Sequence, residues 1–317
     1  MRTVEFHRDF RRFQGGHLKV FHYFRHVQCA PGFQARIRFS PESVWDETNP
    51  WLGERAAVLG PEERISPDVL FLAGLDWRAI DPARRAASKT PVLNLIQGFR
   101  HLRPANPAYE FLARRAIRLC VSEQLTDALR EHGVPGPLFT VPIGLDTESL
   151  PAPLPPEARD IDCVLLAVKH PRQGAELARA LRSDGRRVLL VDEPLPRTEL
   201  LAAMARARVT VHLPVDVEGA YLPALESMAL DALVVCPDCV GNRSFCRDGE
   251  TCLVPAREHG AMLEAARLAL SESPEALAPM LRRGREEAFG RSLANERERF
   301  VSILERVGEL WSGEPGD

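Results

Sequence analysis

Short apolar runs alternate with longer amphipathic stretches along the first half of the chain. The apolar runs are rich in β-branched and aromatic residues and are bounded by polar or glycine-containing segments, so they are predicted to be strands. The strands predicted in this way are 3–7, 34–39, 69–72, 92–96, 117–121 and 138–142, and a helix is predicted for 18–27 after a turn at Gly15 and Gly16. Alternating strands and helices predict a parallel, doubly wound α/β sheet.

The same alternation begins again in the second half of the chain. Strands are predicted for 163–168, 188–191 and 209–214, and helices for 175–181, 199–207, 223–233 and 295–311. Between the halves, residues 150–156 contain four prolines in seven positions, which excludes a helix or a central strand. We therefore expect two α/β domains, with the boundary between residues 147 and 148.

Length and composition agree with two ordinary globular domains. The chain has 317 residues, 45% hydrophobic and 27% charged, with a formal net charge of -3. Only Lys19, Lys89 and Lys169 are lysines among its 41 basic residues, so arginine richness is a background property of this chain. We expect no nucleic-acid partner.

Charge is unevenly distributed, because the first forty residues contain eight Arg or Lys and four His against only Glu5 and Asp9. This excess predicts either a face that contacts an anionic acceptor or an anionic membrane surface, or a solvated basic face with no partner. No apolar run is long enough to cross a bilayer, the N-terminus is charged where a signal peptide is apolar, and the seven cysteines suggest reduced thiols. We expect a cytoplasmic protein, peripheral at the inner membrane face at most.

The segment from Glu218 to Glu226 carries the most specific chemistry. It follows the predicted strand 209–214 and opens a helix with Pro223 in its first turn. Free N–H groups at such a helix start favour a phosphate, whereas two carboxylates beside it favour sugar hydroxyls. A sugar nucleotide offers both kinds of group. The donor-binding residues expected in the loop itself are Gly219, Ala220, Tyr221 and Leu222.

The run from Glu218 to Pro255 resembles the C-terminal signature of retaining GT-B glycosyltransferases of the family 4 type. The resemblance covers two glutamates separated by seven residues, Pro237, Gly241-Asn242, 247–251 and 253–255. It implies two Rossmann-like, doubly wound domains facing a cleft, at 1–147 and 148–294, with the C-terminal helix 295–317 packing back on the first. It also implies that Glu218 binds the donor sugar, that Glu226 binds the ribose, and that no metal cofactor is needed.

Cations follow the first strand of the second half, at Lys169 and Arg172. The resembled family places basic residues close to these positions, where they stabilise the diphosphate leaving group. In the first half, the resemblance places Gly15 and Gly16 beside the donor phosphate. His101 is predicted as a catalytic residue, and Arg100 and His17 as residues on the acceptor side.

Cys236, Cys239, Cys246 and Cys252 allow a second interpretation, a structural zinc site, because Cys-x2-Cys is half of many such sites. Their positions within the resembled signature also account for them as small buried residues. The sequence leaves this choice open.

These features predict a glycosyltransferase that moves a hexose-like sugar from a nucleotide-sugar donor to an acceptor hydroxyl, with retention at the anomeric carbon. The acceptor is unknown, and an anionic or lipid-linked one fits the basic N-terminal half. Two alternatives stay open. One is a nucleotide-sugar 2-epimerase on the same fold, and the other is a non-catalytic binding subunit, which the departures from the signature at Ile143 and around Lys169 would favour.

Overall fold

The computed structural model describes residues 1–80 and 89–313, and it divides into two compact units. The first unit comprises Met1–Pro142 together with the chain from Glu296 onward, and the second comprises Ile143–Asn295. The observed division after Pro142 lies five residues before the predicted boundary at 147.

The first unit is built on a parallel sheet of six strands. Its strands are β1 (Arg2–Arg8), β2 (Phe33–Phe39), β3 (Val69–Ala73), β4 (Val92–Ile96), β5 (Ile117–Cys120) and β6 (Leu138–Thr140). Their spatial order is β2-β1-β3-β4-β5-β6, so the direction of winding reverses between β1 and β3. In such sheets ligands bind outside the carboxyl ends of the strands at this reversal.

The second unit has a parallel sheet of four strands. They are β7 (Ile161–Leu166), β8 (Val188–Val191), β9 (Ala207–His212) and β10 (Leu233–Val235), in the order β10-β9-β7-β8. Winding reverses between β7 and β9, which are paired in register from Cys163 opposite Val209 to Leu166 opposite His212. Both sheets confirm the predicted α/β class with Rossmann-like units.

Nine α-helices complete the described part of the chain. They are α1 (Gly15–Gln28), α2 (Glu123–Glu131), α3 (Pro171–Ser183), α4 (Arg197–Ala205), α5 (Leu222–Ala229), α6 (His259–Ser271), α7 (Pro274–Phe289), α8 (Leu293–Glu305) and α9 (Val307–Ser312). No helix among the described residues is both long enough and apolar enough to span a membrane.

The end of the chain packs on the core of the first unit. Phe300 of α8 lies edge-on to Tyr23 of α1 with the ring centroids 4.9 Å apart, and Tyr23 in turn contacts Phe71 of β3. Lys19 of α1 donates to Glu296 of α8 at 2.6 Å, with both side chains buried. These contacts assign α8 from Glu296 onward, together with α9, to the first unit.

Two predicted helices have different bounds in the structure. The helix predicted for 223–233 ends at Ala229, because the chain turns at Asp231, whose φ is 56°, and the apolar residues from Leu233 form β10. The helix predicted for 295–311 is two helices separated at Arg306, and 314–317 lie outside the described residues.

Gly15 and Gly16 do not form a turn at the end of β1. They are the first residues of α1, and neither has a positive φ. The chain instead reverses through Asp9–Gln14 before the helix begins. Glycine is therefore not required there by backbone conformation.

The basic N-terminal segment is largely neutralised within the first unit. Six of its eight Arg and Lys residues pair with a carboxylate: Arg8 with Asp76, Arg11 with Asp9, Lys19 with Glu296, Arg25 with Glu54, Arg36 with Glu63, and Arg38 with Glu5. The excess of basic residues in the sequence is therefore not an equal excess of unpaired charge on the surface.

Candidate functional site

Lys169 and Glu218 meet at the carboxyl edge of the second sheet. Lys169 follows β7 and Glu218 follows β9, and these strands are neighbours at the point where winding reverses. The Lys169 ammonium forms an ion pair with Oε1 of Glu218 and lies 5.9 Å from the ring centroid of Tyr221. The fold thus brings the two predicted catalytic residues of this unit into direct contact.

The loop between Glu218 and α5 presents backbone N–H groups. Within the part of the chain that the structure describes, the amides of Gly219, Ala220, Tyr221 and Leu222 donate to no other group. The amide of Glu218 is used, because it donates to the carbonyl of Cys239 at 2.9 Å. Successive unpartnered amides ahead of a helix favour an anion, and a phosphate satisfies them well.

Gly241 packs directly against the backbone of this loop. A Cβ at this position would lie 2.5 Å from the carbonyl oxygen of Glu218 and 2.8 Å from the amide nitrogen of Ala220. Asn242 fixes the same turn, because its side chain accepts from the Cys239 amide at 3.0 Å and donates to the Pro237 carbonyl at 3.0 Å. The Gly241-Asn242 pair therefore sets the position of the amides that precede α5.

His212 and Tyr221 pack beneath the loop with their rings edge-on, 5.6 Å apart. Burial lowers the pKa of His212 to about 4, so its imidazole is neutral at physiological pH. Its Nε2 lies 3.0 Å from the Thr210 hydroxyl and 3.3 Å from that of Ser227. Burial raises the pKa of Tyr221, so its hydroxyl stays protonated.

Glu226 lies in α5 with its side chain buried, and Arg197 at the start of α4 binds it. Two guanidinium nitrogens of Arg197 contact Oε1 of Glu226, at 2.9 and 3.1 Å, and a third donates to the Ser149 hydroxyl at 3.1 Å. Burial raises the pKa of Glu226, and Arg197 opposes that shift. Because both contacts are to Oε1, Oε2 has no partner among the described residues and can accept from a hydroxyl.

Arg172 lies in the first turn of α3, exposed, with no ion-pair partner in the described ranges 1–80 and 89–313. It lies three positions beyond Lys169 in the chain, so the carboxyl end of β7 is followed by two cations. One of them is paired and the other is free.

Cys236, Cys239, Cys246 and Cys252 are buried free thiols near the loop. Hydrogen bonding to Cys236 and burial raise the pKa of Cys239, and the Cys236 sulfur accepts from Asn242 at 3.4 Å. The described residues contain no group of three or more His, Cys, Asp or Glu side chains placed to hold a metal ion. The structure therefore adds nothing to the zinc interpretation, and packing and hydrogen bonding account for these side chains.

The residues predicted in the first half meet around a cavity inside the first unit. Gly16, His17, Arg100 and His101 all line it, whereas Gly15 does not. The cavity measures about 730 Å³ and lies at the carboxyl ends of β1 to β4, across the reversal of winding between β1 and β3. His101 is 5% exposed.

Both predicted histidines are neutral at this cavity. Burial, together with Arg100 and Arg118, lowers the pKa of His101 to about 4. Burial and Arg8 lower that of His17 to about 4 as well. A neutral imidazole both donates and accepts, so each ring can bind a hydroxyl group.

Sequence reasoning missed three functional candidates. Arg197 is far from Glu226 in the chain, and nothing in its sequence context marks it as a partner. Arg257 donates to the carbonyls of Pro214 at 2.8 Å and Val215 at 3.1 Å, which fixes the start of the loop that leads to Glu218. Arg78 follows β3 and lines the first-unit cavity. Only for Arg78, which follows β3, was a strand-end position an available signal.

Together, two parallel α/β units and a phosphate-type loop at the carboxyl edge of the second define the GT-B class of fold. The predicted resemblance to glycosyl transferases group 1 is confirmed, because residues 153–272 match the family model of that description. This match lies within the second unit and includes Lys169, Glu218 and Glu226. No curated protein sequence matches the chain.

Solved structures share the fold at low sequence identity. A glycosyltransferase from Rickettsia africae has a TM-score of 0.74 and 11% identity, with 99% of each chain covered. Sucrose-phosphate synthase from Thermosynechococcus elongatus has a TM-score of 0.72 and 13% identity, with 97% of this chain and 99% of that chain covered. Anabaena HepE in complex with UDP and glucose has a TM-score of 0.71 and 12% identity, with 96% of this chain and 100% of that chain covered.

Proposed function

We propose that the protein is a retaining glycosyltransferase that moves a hexose-like sugar from a nucleoside diphosphate to an acceptor hydroxyl. The observation that carries this proposal is the Lys169–Glu218 pair beside the unpartnered amides of the loop. A cation, a set of N–H donors and a carboxylate then lie at one strand edge. These are the groups needed for a diphosphate and for sugar hydroxyls.

The second unit supplies separate sites for the parts of the donor. The amides of Gly219 to Leu222 bind the diphosphate, helped by Lys169 and Arg172. Oε2 of Glu226 accepts from a ribose hydroxyl while Arg197 orients the carboxylate. Glu218 accepts from a hydroxyl of the transferred sugar. UDP is the first nucleotide to test, because HepE was crystallised with UDP and glucose.

In the transfer step, the acceptor oxygen forms a bond to the anomeric carbon as the bond from that carbon to the β-phosphate oxygen breaks. The acceptor proton passes to the departing phosphate, so the products are the glycoside and the nucleoside diphosphate. Negative charge builds on the leaving oxygen as the bond breaks. Lys169, Arg172 and the loop amides stabilise that charge more strongly in the transition state than in the bound donor.

Turnover of UDP-glucose by the Lys169→Ala and Glu218→Gln proteins tests the proposal. Removing Lys169, which stabilises the leaving charge, should lower kcat by about 10²–10³-fold. Glu218→Gln should also lose turnover, because the transferred sugar loses the carboxylate that accepts from its hydroxyl. Glu176→Gln is a suitable control, because this exposed side chain lies on α3 and makes only a 3.9 Å contact with His259. Wild-type turnover in both site variants would refute the proposal.

Two further measurements separate the alternatives. Incubation of UDP-N-acetylglucosamine without an acceptor would produce its 2-epimer if the protein is an epimerase. Binding of UDP without turnover of any sugar nucleotide would indicate a non-catalytic binding subunit.

A further inference from the structure

The cavity in the first unit has an unusual balance of charge. Its lining includes four arginines, which are Arg8, Arg38, Arg78 and Arg100, and only two acids, Asp9 and Asp76. Both acids already have partners. Asp76 pairs with Arg8, and Asp9 pairs with Arg11 at 2.6 Å and accepts from Ser40 at 2.5 Å.

Two of the four arginines are also fully engaged. Arg8 donates to Asp76 and to the Ala73 carbonyl at 2.9 Å. Arg38 contacts Glu5 at 3.4 Å and donates to the carbonyls of Gly60 and Glu63. These two guanidinium groups support the walls of the cavity and have little capacity left for a ligand.

Arg78 and Arg100 are different. Both are exposed at the cavity, and neither has an acidic or carbonyl partner in the part of the chain described here. Arg78 follows β3 and Arg100 follows β4, and these strands are neighbours in the sheet, so both side chains project from the same edge. Among the described residues, these two guanidinium groups of the cavity lining have no ion-pair partner and are available to an anion.

The rest of the lining suits hydroxyl groups. His17 and His101 are neutral imidazoles, and Gln97 has a side-chain amide whose Nε2 donates to the Gly16 carbonyl at 3.2 Å, which leaves its oxygen available. Gln14 and Asn106 add further amides. A volume of about 730 Å³ is ample for a monosaccharide or disaccharide.

We propose that this cavity binds an anionic sugar, in which Arg78 and Arg100 bind a phosphate or carboxylate group and the imidazoles and amides bind the hydroxyls. This inference rests on the proposed function in one respect only, namely that the bound sugar is the acceptor of the transfer. Arginine suits this task, because its planar fork matches carboxylate and phosphate oxygens. The ligand class is a free sugar phosphate or a uronic acid.

Calorimetric titration of the full chain, without any donor, tests the site directly. Glucose 6-phosphate and glucuronate are expected to bind, and glucose at least tenfold more weakly. Arg78→Ala and Arg100→Ala should each weaken glucose 6-phosphate binding by about tenfold or more, because each removes charge-assisted hydrogen bonds. Arg114→Ala is the control, since this exposed arginine of the first unit lies outside the cavity lining. Equal binding of glucose, or unchanged affinity in both site variants, would overturn the proposal.

Two competition arms define the ligand more closely. Geranyl phosphate carries the anion of a lipid headgroup without sugar hydroxyls, and binding as tight as that of glucose 6-phosphate would overturn the sugar assignment. Saturating UDP is expected to leave the binding of glucose 6-phosphate in place, and its displacement would show that the cavity is not a separate acceptor site. If UDP itself does not bind while glucose 6-phosphate does, the proposed donor chemistry fails and the anion site stands.

Discussion

The guanidinium of Arg197 donates through two nitrogens to a single oxygen of Glu226, at 2.9 and 3.1 Å. Glu226 lies midway along α5 and is 6% exposed, and burial raises the pKa of its carboxyl while Arg197 opposes that rise. A further bond from Arg197 to Ser149 ties the pair to the segment that follows β6. The arginine is therefore a positioning residue for the proposed ribose contact.

Arg197→Ala is expected to weaken UDP binding by about tenfold, because Glu226 loses its counter-charge and its orientation. The second unit should also lose about 2 kcal/mol of unfolding free energy, since an unpaired buried carboxylate remains. Calorimetry with UDP and amide hydrogen exchange of α5 measure the two effects. Arg206→Ala removes an exposed pair with Asp160 at the other end of the same helix, and should cost less than about 1 kcal/mol. UDP affinity unchanged from wild type would contradict the assignment.

Because Lys169 and Glu218 neutralise one another, replacing one and replacing the other should have opposite effects on UDP affinity. A diphosphate that approaches Lys169 competes with the Glu218 carboxylate for the same ammonium group. Glu218→Gln removes the competitor, so UDP should bind up to about fivefold more tightly, the range expected for a partly exposed pair. Lys169→Ala should bind UDP more weakly, and both variants should lose turnover. Equal weakening of UDP binding in the two variants would contradict this arrangement.

Gly241 is a steric requirement of the donor loop. An alanine Cβ would lie 2.5 to 2.8 Å from backbone atoms of Glu218, Gly219 and Ala220, and backbone cannot yield as a flexible side chain can. Gly241→Ala should lower kcat/KM by about tenfold or more and cost about 1–3 kcal/mol of stability. Gly260→Ala is the matched control, because a Cβ there meets nothing within 4 Å and the residue is helical. That variant should keep full activity and gain slightly in stability.

Most strands could be predicted from the sequence, because apolar runs such as 69–72 and 92–96 are buried in parallel sheets and carry their own signal. The end of α5 could not be predicted from the sequence. Leu230 and Ala232 continue the apolar character of the helix, and the left-handed turn at Asp231 between them separates the helix from β10. Backbone conformation at one residue decides that boundary, and side-chain patterns do not report it.

The candidate site was predictable residue by residue but not as a network. Lys169 and Glu218 were both found from their strand-end positions, yet their contact depends on β7 and β9 being neighbours, which only the order of the strands reveals. Arg197, the first residue of α4, and Arg78, in a 3-10 helix after β3, belong to no sequence motif. For the basic N-terminal segment, the sequence overestimates the unpaired positive charge. Asp76, Glu54 and Glu296, which are distant in the sequence, neutralise cations of this segment in the fold.

Glu296 attaches the C-terminal helices to the first unit through Lys19, with 2.6 Å between Nζ and Oε2 and both side chains at most 2% exposed. Glu296→Gln should lower the unfolding free energy of the first unit by about 3 kcal/mol, because a buried ammonium loses its partner. All four tryptophans, at 45, 51, 77 and 311, belong to this unit, so tryptophan fluorescence in urea follows its unfolding alone. As a control, Glu298→Gln at an exposed position of the same helix should leave the urea midpoint unchanged. A wild-type urea midpoint for Glu296→Gln would contradict this role for the pair.

The same pair predicts acid sensitivity of the first unit. Burial acts to raise the pKa of Glu296, but Lys19 and His26 outweigh it, so the folded-state pKa is lowered. A carboxyl with a lowered pKa stabilises the fold above its unfolded-state value near 4.5, and this contribution is lost as the pH falls through the folded-state pKa. The urea midpoint of the wild type should therefore fall more steeply below pH 4.5 than that of Glu296→Gln.

His212 predicts a separate pH effect in the second unit. Burial lowers its pKa from 6.5 to about 4, so between these values the unfolded chain binds a proton that the folded chain does not. Stability is then complete above pH 6.5 and declines toward pH 4, by at most about 1.4 kcal/mol per pH unit from this group. His212→Gln cannot titrate and should flatten the decline, measured by hydrogen exchange of the β9 amides between pH 4 and 7. As a control, His132→Gln, at an exposed position in the first unit, should leave the decline as steep as in the wild type. A decline equally steep in His212→Gln would mean that other groups cause it, and that the neutral imidazole beneath Tyr221 contributes nothing to the pH response of the donor loop.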